Sequence, residues 1–110
     1  MLQIIEEVLA GALQIVVPRT VVAQVWRSGP RQAGVARLIK AGRPDHGPVI
    51  IDELTAARAE QIGITIGRVK HPDIVDVHVA LAARERRHTV FTSADADIAR
   101  VDADLEIVHV

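Results

Sequence analysis

The sequence predicts an α/β fold in which a mostly parallel sheet carries helices on both faces, and three observations lead there. Short runs of Val and Ile alternate with segments of helical period, the pattern of strands joined by helical crossovers. Aromatic residues make up only 2% of the chain, so the core must come from Val, Ile, Leu and Ala, which suits helices packed on β-branched strands. At 110 residues there is room for one core, so residues 1–110 read as a single domain.

Residues 2–13 have helical spacing, with Ile5, Leu9 and Leu13 on one stripe and Glu6 and Glu7 near the start, where the helix dipole favours acids. Residues 14–17 form a short apolar run closed by Pro18, which cannot donate to a ladder, and so predict a buried strand. Thr20 can cap a helix over 20–26 that Ser28-Gly29-Pro30 ends, and residues 31–40 make another. Breakers crowd residues 42–48, which predicts a surface loop. A second buried strand follows at 49–51. Residues 54–68 then read as a helix with Leu54, Ala57, Gln61 and Ile64 along a face, weakened near its end by Gly63 and Gly67.

His71-Pro72 imposes an extended entry to the next helix, over 74–86, which is so apolar that it must be buried on several sides. A strand at 89–92, a short helix at 95–101 and an alternating strand at 105–110 complete the order αβααβααβαβ. No strand precedes Leu2, so the expectation is of an α/β sheet that is incomplete at its N-terminus.

Hydrophobic residues at 49%, charged residues at 25% and a mean hydropathy of +0.22 exclude a disordered chain. The lack of cysteine excludes disulfides, thiolate metal sites and cysteine nucleophiles. With acids near the N-terminus and no apolar run of membrane length, the expectation is a soluble, unprocessed cytoplasmic protein with no membrane partner.

Charge is uneven along the chain. Residues 8–44 contain no acid, while Arg19, Arg27, Arg31, Arg37, Lys40 and Arg43 are basic; residues 91–110 carry Asp95, Asp97, Asp102, Asp104 and Glu106 against Arg100. Basic groups that hold phosphates beside carboxylates that hold cations suit an enzyme acting on a polyanion, although a solvated helix surface gives the same pattern.

Asp73 and Asp76 lie three apart at the start of the most apolar helix, so both can point to one side of its first turn. Asp73 can serve as the N-cap with Asp76 at N3. Asp76 is the only acid between residues 74 and 84, and an ionised group beside so apolar a helix is costly unless it is paired or bound to a cation. The second acidic element, residues 92–97, follows a buried strand, the end at which α/β sheets bind ligands. His71 and His78 flank the aspartates in a His-x-Asp-x-x-Asp-x-His pattern. The sequence sets both outside the site, because His78 faces away from Asp76 on a helix and His71 precedes a proline in a loop. Trp26 reads as core or interface packing, since no second aromatic lies nearby.

The stretch Asp76-Val-His-Val-Ala-Leu-Ala-Ala83 resembles the helix that carries a metal-binding Asp in PIN-domain proteins, specifically toxin ribonucleases of the VapC type. Thr92-Ser-Ala-Asp-Ala-Asp97 is similar to that family's next acidic loop. Val17-Pro-Arg-Thr-Val-Val-Ala-Gln-Val-Trp-Arg-Ser-Gly-Pro-Arg31 resembles the stretch where a catalytic Glu usually stands, and Gln24 occupies that position here. The family's first strand, with its Asp, has no counterpart before Leu2, and Ala94 falls where an acid often follows Thr-Ser.

The resemblance implies a PIN-like domain that hydrolyses RNA phosphodiesters with Mg²⁺ or Mn²⁺, pairs with a cognate antitoxin and forms a homodimer. It implies Asp76, Asp73 and Asp97 as catalytic residues and Asp76, Asp97 and Asp95 as metal ligands. RNA contacts would come from Arg27, Arg31, Ser93 and Thr92. Two other readings compete. One is a PIN-like binding module without activity, motivated by the missing acids. The other is a DNA-binding helix-turn-helix over 20–40, where Val25, Gly29, Val35 and Leu38 approximate the spacing and Pro30 fits poorly.

Overall fold

A computed structural model describes residues 2–11, 13–27, 36, 37, 39, 40 and 48–110. The chain divides into two compact units, Met1–Asp52 and Glu53–Val110. Each carries helices and one pair of parallel strands.

In the first unit, helix α1 spans Leu2–Leu9, strand β1 Ile15–Pro18, helix α2 Arg19–Arg27 and strand β2 Val49–Asp52. Helix α1 ends before Leu13 because Gly11 adopts a left-handed φ of 81°, a conformation glycine accepts without a Cβ penalty. The amides of Ala10, Gly11 and Leu13 then satisfy the carbonyls of Glu6, Val8 and Glu7. Strands β1 and β2 run parallel in the register Ile15↔Val49 to Pro18↔Asp52, which puts Pro18 at the end of the ladder. Helix α2 already includes Arg19, so Thr20 sits inside its first turn and is not its cap. Ile5, Val8, Val17 and Val49 form the core of this unit, lined by Ile15, Val21, Val22 and Ile39.

Residues 36, 37, 39 and 40 are helical. The rest of the predicted 31–40 helix, with Arg31 and Val35, lies outside the described residues, as do Leu38, Gly29, the Ser28–Pro30 stop and positions 42–47 of the predicted loop. Trp26, read as core or interface packing, is 51% exposed with the Lys40 ammonium 5.8 Å from its ring centroid, so it is a surface cation–π partner and not a core residue.

The second unit contains helices α3 (Ala56–Val69) and α4 (Ile74–Arg86), strand β3 (Val90–Thr92), helix α5 (Asp95–Val101) and strand β4 (Ile107–His109). Thr55 caps α3 by accepting the Arg58 amide at 3.0 Å, and Lys70 closes it in the left-handed region. The buried face of α3 is Arg58, Ile62 and Thr65, one position on from the predicted stripe, and Leu54, Ala57, Gln61 and Ile64 are exposed. Arg58 turns inward because its guanidinium bonds the Glu85 carboxylate at 2.6 Å and the Gln61 carbonyl at 3.0 Å, so a charged letter occupies a core-facing position. Helix α4 buries Val77, His78, Ala80, Ala82 and Ala83, positions spread around its whole circumference, in agreement with its uniform apolarity.

Two clusters fill this unit. Ile62, Val77, Ala80 and Val101 join α3, α4 and α5, and Ala83, Val90 and Ile98 join α4, β3 and α5; Leu105 packs against both. Strands β3 and β4 pair in parallel from Val90↔Ile107 to Thr92↔His109, connected through α5 as a β-α-β crossover. The α/β class and the parallel direction follow the sequence. Among the described residues the hydrogen bonds form two two-stranded pairs, β1 with β2 and β3 with β4, where the sequence predicts one mostly parallel sheet. Ladders of three or four residues have little edge to offer a third strand. No helix among the described residues is long and apolar enough to cross a membrane.

Candidate metal centre

The site lies within the second unit, at the starts of α4 and α5. Pro72 cannot continue a helix backwards, so the chain enters α4 extended and Asp73 takes the N-cap with φ −79° and ψ 110°. Its carboxylate accepts the Asp76 amide at 3.0 Å, the capping bond that Ser, Thr, Asn and Asp supply. The Asp76 carboxylate, at N3, does not complete a reciprocal capping box. It meets the imidazole of His71, whose Nε2 lies 2.9 Å from Asp76 Oδ2.

His71 is only 5% exposed, and its Nδ1 is buried without a hydrogen-bond partner among the described residues. Asp97, at the third position of α5, brings its carboxylate to the same place. One donor atom each from His71, Asp76 and Asp97 lie within 4.8 Å of one another. His71 is buried, Asp76 is partly covered and Asp97 is exposed, so the group is closed on one side and open to solvent on the other.

Burial pushes the Asp76 carboxyl above its ordinary value, and the charges of Asp73 and Asp97 push the same way. The His71 hydrogen bond pulls it back only in part. The two carboxylates grouped with one imidazole, with Asp73 near enough to act on Asp76, thus hold an excess of negative charge at a half-buried point, which a cation would relieve. The donor set of two oxygens and one nitrogen fits a divalent metal ion.

Of the remaining residues singled out by the sequence, Asp95 opens α5 but turns to the last strand, where His109 Nδ1 meets its Oδ1 at 2.8 Å; it is not one of the three grouped donors. Thr92 also has a local role, accepting the Ala94 amide on its hydroxyl at 2.9 Å and the Val110 amide on its carbonyl at 3.1 Å. Ser93 is exposed beside it. Arg27 is exposed in the last turn of α2 and Gln24 is half-buried on the same helix, both in the first unit. Arg31 lies outside the described residues. His78 is fully buried in the second unit and is not one of the three grouped donors.

The sequence misses His71. Its position before Pro72 reads as a passive loop, yet the extended entry carries the ring back over the first turn of α4. The signal is its place two residues ahead of the N-cap, next to the position from which side chains fold onto the first turn of a helix. No protein-family model, no curated protein and no solved structure matches this chain.

Proposed function

We propose that the chain is a divalent-cation-dependent ribonuclease in which Asp76 and Asp97 hold the ion. The observation that carries this reading is the convergence of those two carboxylates, from the two stretches that resemble the acidic motifs of PIN-domain toxins, on one partly buried point. When bound, the cation supplies a more acidic water and positive charge for a phosphate oxygen. The chain's own residues then have separate tasks. Asp76 and Asp97 bind the ion, Asp73 fixes the first turn of α4 from which Asp76 projects, and the exposed Ser93 offers a hydroxyl just ahead of α5 for a phosphate or water. Arg27 and Arg31 supply cationic contacts to the RNA backbone.

Mg²⁺ or Mn²⁺ as cofactor, an antitoxin as protein partner and a second copy of the chain belong to the same proposal through the resemblance. A second reading, a cation-binding module without activity, is favoured by one observation. Asp73 is committed to the cap and Asp95 to His109, which leaves two carboxylates at the centre. Incubating the full chain with a mixed RNA pool and Mn²⁺ separates the two. The ribonuclease reading expects cleavage that chelation stops and that Asp76→Asn abolishes with the fold retained by circular dichroism. Cleavage unchanged in Asp76→Asn refutes it, and cation binding without any cleavage favours the second reading.

A further inference from the structure

We infer that His71 is a nitrogen ligand of the centre, and that the site therefore selects a transition ion, Zn²⁺ or Mn²⁺, over Mg²⁺. The inference rests on the reading above in taking Asp76 and Asp97 as ligands, and it does not depend on the RNA chemistry.

Three observations carry it. The first is a length. Two atoms each about 2.1 Å from one ion are about 3.0 Å apart at right angles around it and about 3.4 Å apart in a tetrahedron. His71 Nε2 and Asp76 Oδ2, at 2.9 Å, stand at the first separation and need a small opening to reach the second.

The second is the buried ring. His71 is held at 5% exposure with no partner for Nδ1 among the described residues, so its hydrogen bonding rests on Nε2, the nitrogen that faces the Asp76 carboxylate at 2.9 Å and belongs to the grouped donors.

The third is the chemistry of the donor set. Mg²⁺ prefers near-ideal octahedral oxygen coordination and keeps its waters, whereas imidazole suits zinc and the later transition ions. One nitrogen and two carboxylates leave a position open, the ligand count of catalytic zinc sites. Asp97 is exposed, so its side chain can rotate to close the group around an ion.

The test uses the full chain, stripped of metal by chelator and dialysed. Titration calorimetry with ZnCl₂, MnCl₂ and MgCl₂ is expected to give Mg²⁺ affinity at least about tenfold below the other two. Pulsed electron paramagnetic resonance of the Mn²⁺-loaded protein is expected to show a directly bound nitrogen, and His71→Asp is expected to lose that coupling and narrow the gap between Mn²⁺ and Mg²⁺. Because His71 is buried and its variant can unfold, Asp97→Asn provides a second arm at an exposed position. It is expected to weaken Zn²⁺ by about tenfold or more, at least the loss produced when only an outer partner of a metal ligand is removed.

Equal affinity for Mg²⁺, Mn²⁺-loaded protein without nitrogen coupling, coupling that survives in folded His71→Asp, or unchanged Zn²⁺ affinity in Asp97→Asn each overturns the assignment. Nitrogen-coupled Mn²⁺ on a chain that cuts no RNA would leave this inference standing and end the ribonuclease reading. Mg²⁺-dependent cleavage without nitrogen coupling would do the reverse, and a chain that binds none of the three ions would end both.

Discussion

Replacing Asp73 separates a helix cap from a metal ligand, two roles that one carboxylate at this position could fill. In the structure its oxygen accepts the Asp76 amide at 3.0 Å, and it is not among the three donors that converge, His71, Asp76 and Asp97. Asp73→Ala removes an N-cap, a loss of about 1 kcal/mol, with values of about 0.5 to 2 in other helices. The charge contributes little more, because its favourable position at the helix start is offset by repulsion of Asp76, which it pushes towards protonation. A loss of about 1 kcal/mol lowers the melting temperature by about 4–8 °C in a domain of 60–100 residues.

Asp73→Ser is the decisive partner, since serine caps as well as aspartate but cannot bind a cation as a carboxylate. It should melt within about 0.3 kcal/mol of the parent, because both residues rank together as caps, and should keep the parent's Zn²⁺ or Mn²⁺ affinity. Urea unfolding followed by circular dichroism, with calorimetric metal titration on the same samples, measures both. If the serine variant is as unstable as the alanine variant, the capping account is wrong. If it is stable but binds the ion tenfold more weakly, Asp73 belongs to the centre.

Asp76 gives a pH signature in the metal-free chain. Its folded-state pKa is raised, so the folded state holds this proton more tightly than the unfolded state, and ionisation works against folding. The loss of stability begins as pH rises past the ordinary carboxylate value of 3.8 and is complete above the raised folded value. Asp76→Asn should therefore flatten that descent and unfold at higher urea than the parent at neutral pH; an identical pH profile for the two proteins would contradict the burial argument. Ile98, at 1% exposure, lies between α4 and β3, and Ile98→Ala should cost about 3 kcal/mol, within the range for deleting a buried aliphatic side chain. A loss below about 1 kcal/mol in chemical denaturation would place Ile98 outside a packed core.

The order of elements was legible because breakers and periodicity are local. Helix α5 matches its predicted bounds of 95–101, and α4 its predicted 74–86, each set by residues within a turn of the boundary. Which face of α3 turns inward was not legible. An apolar count favours Leu54 and Ile64, whereas the chain buries Arg58 by pairing it with Glu85, a partner 27 positions away that no local period encodes. Which strands pair was not legible either, although their parallel direction was, since short runs of Val and Ile carry no mark of which other run they join. At the site, Asp76 stood out as a charge on an apolar helix. His71 did not, because its contact depends on the path the chain takes through Pro72.

The three grouped donors all fall between residues 71 and 97, and this has a kinetic consequence. Bringing them together closes a short loop through one helix and one strand. The entropy of closure grows only with the logarithm of loop length, so the cost of assembling the centre is small and is met by the same packing of α4 on α5 that forms the local core. Contacts of low sequence separation are the ones that form quickly. An ion that binds only the folded arrangement shifts the balance towards it by mass action, about 2.7 kcal/mol at a concentration a hundred times its dissociation constant. Metal availability would then act on how much of this half of the chain is folded, as well as on what it does once folded.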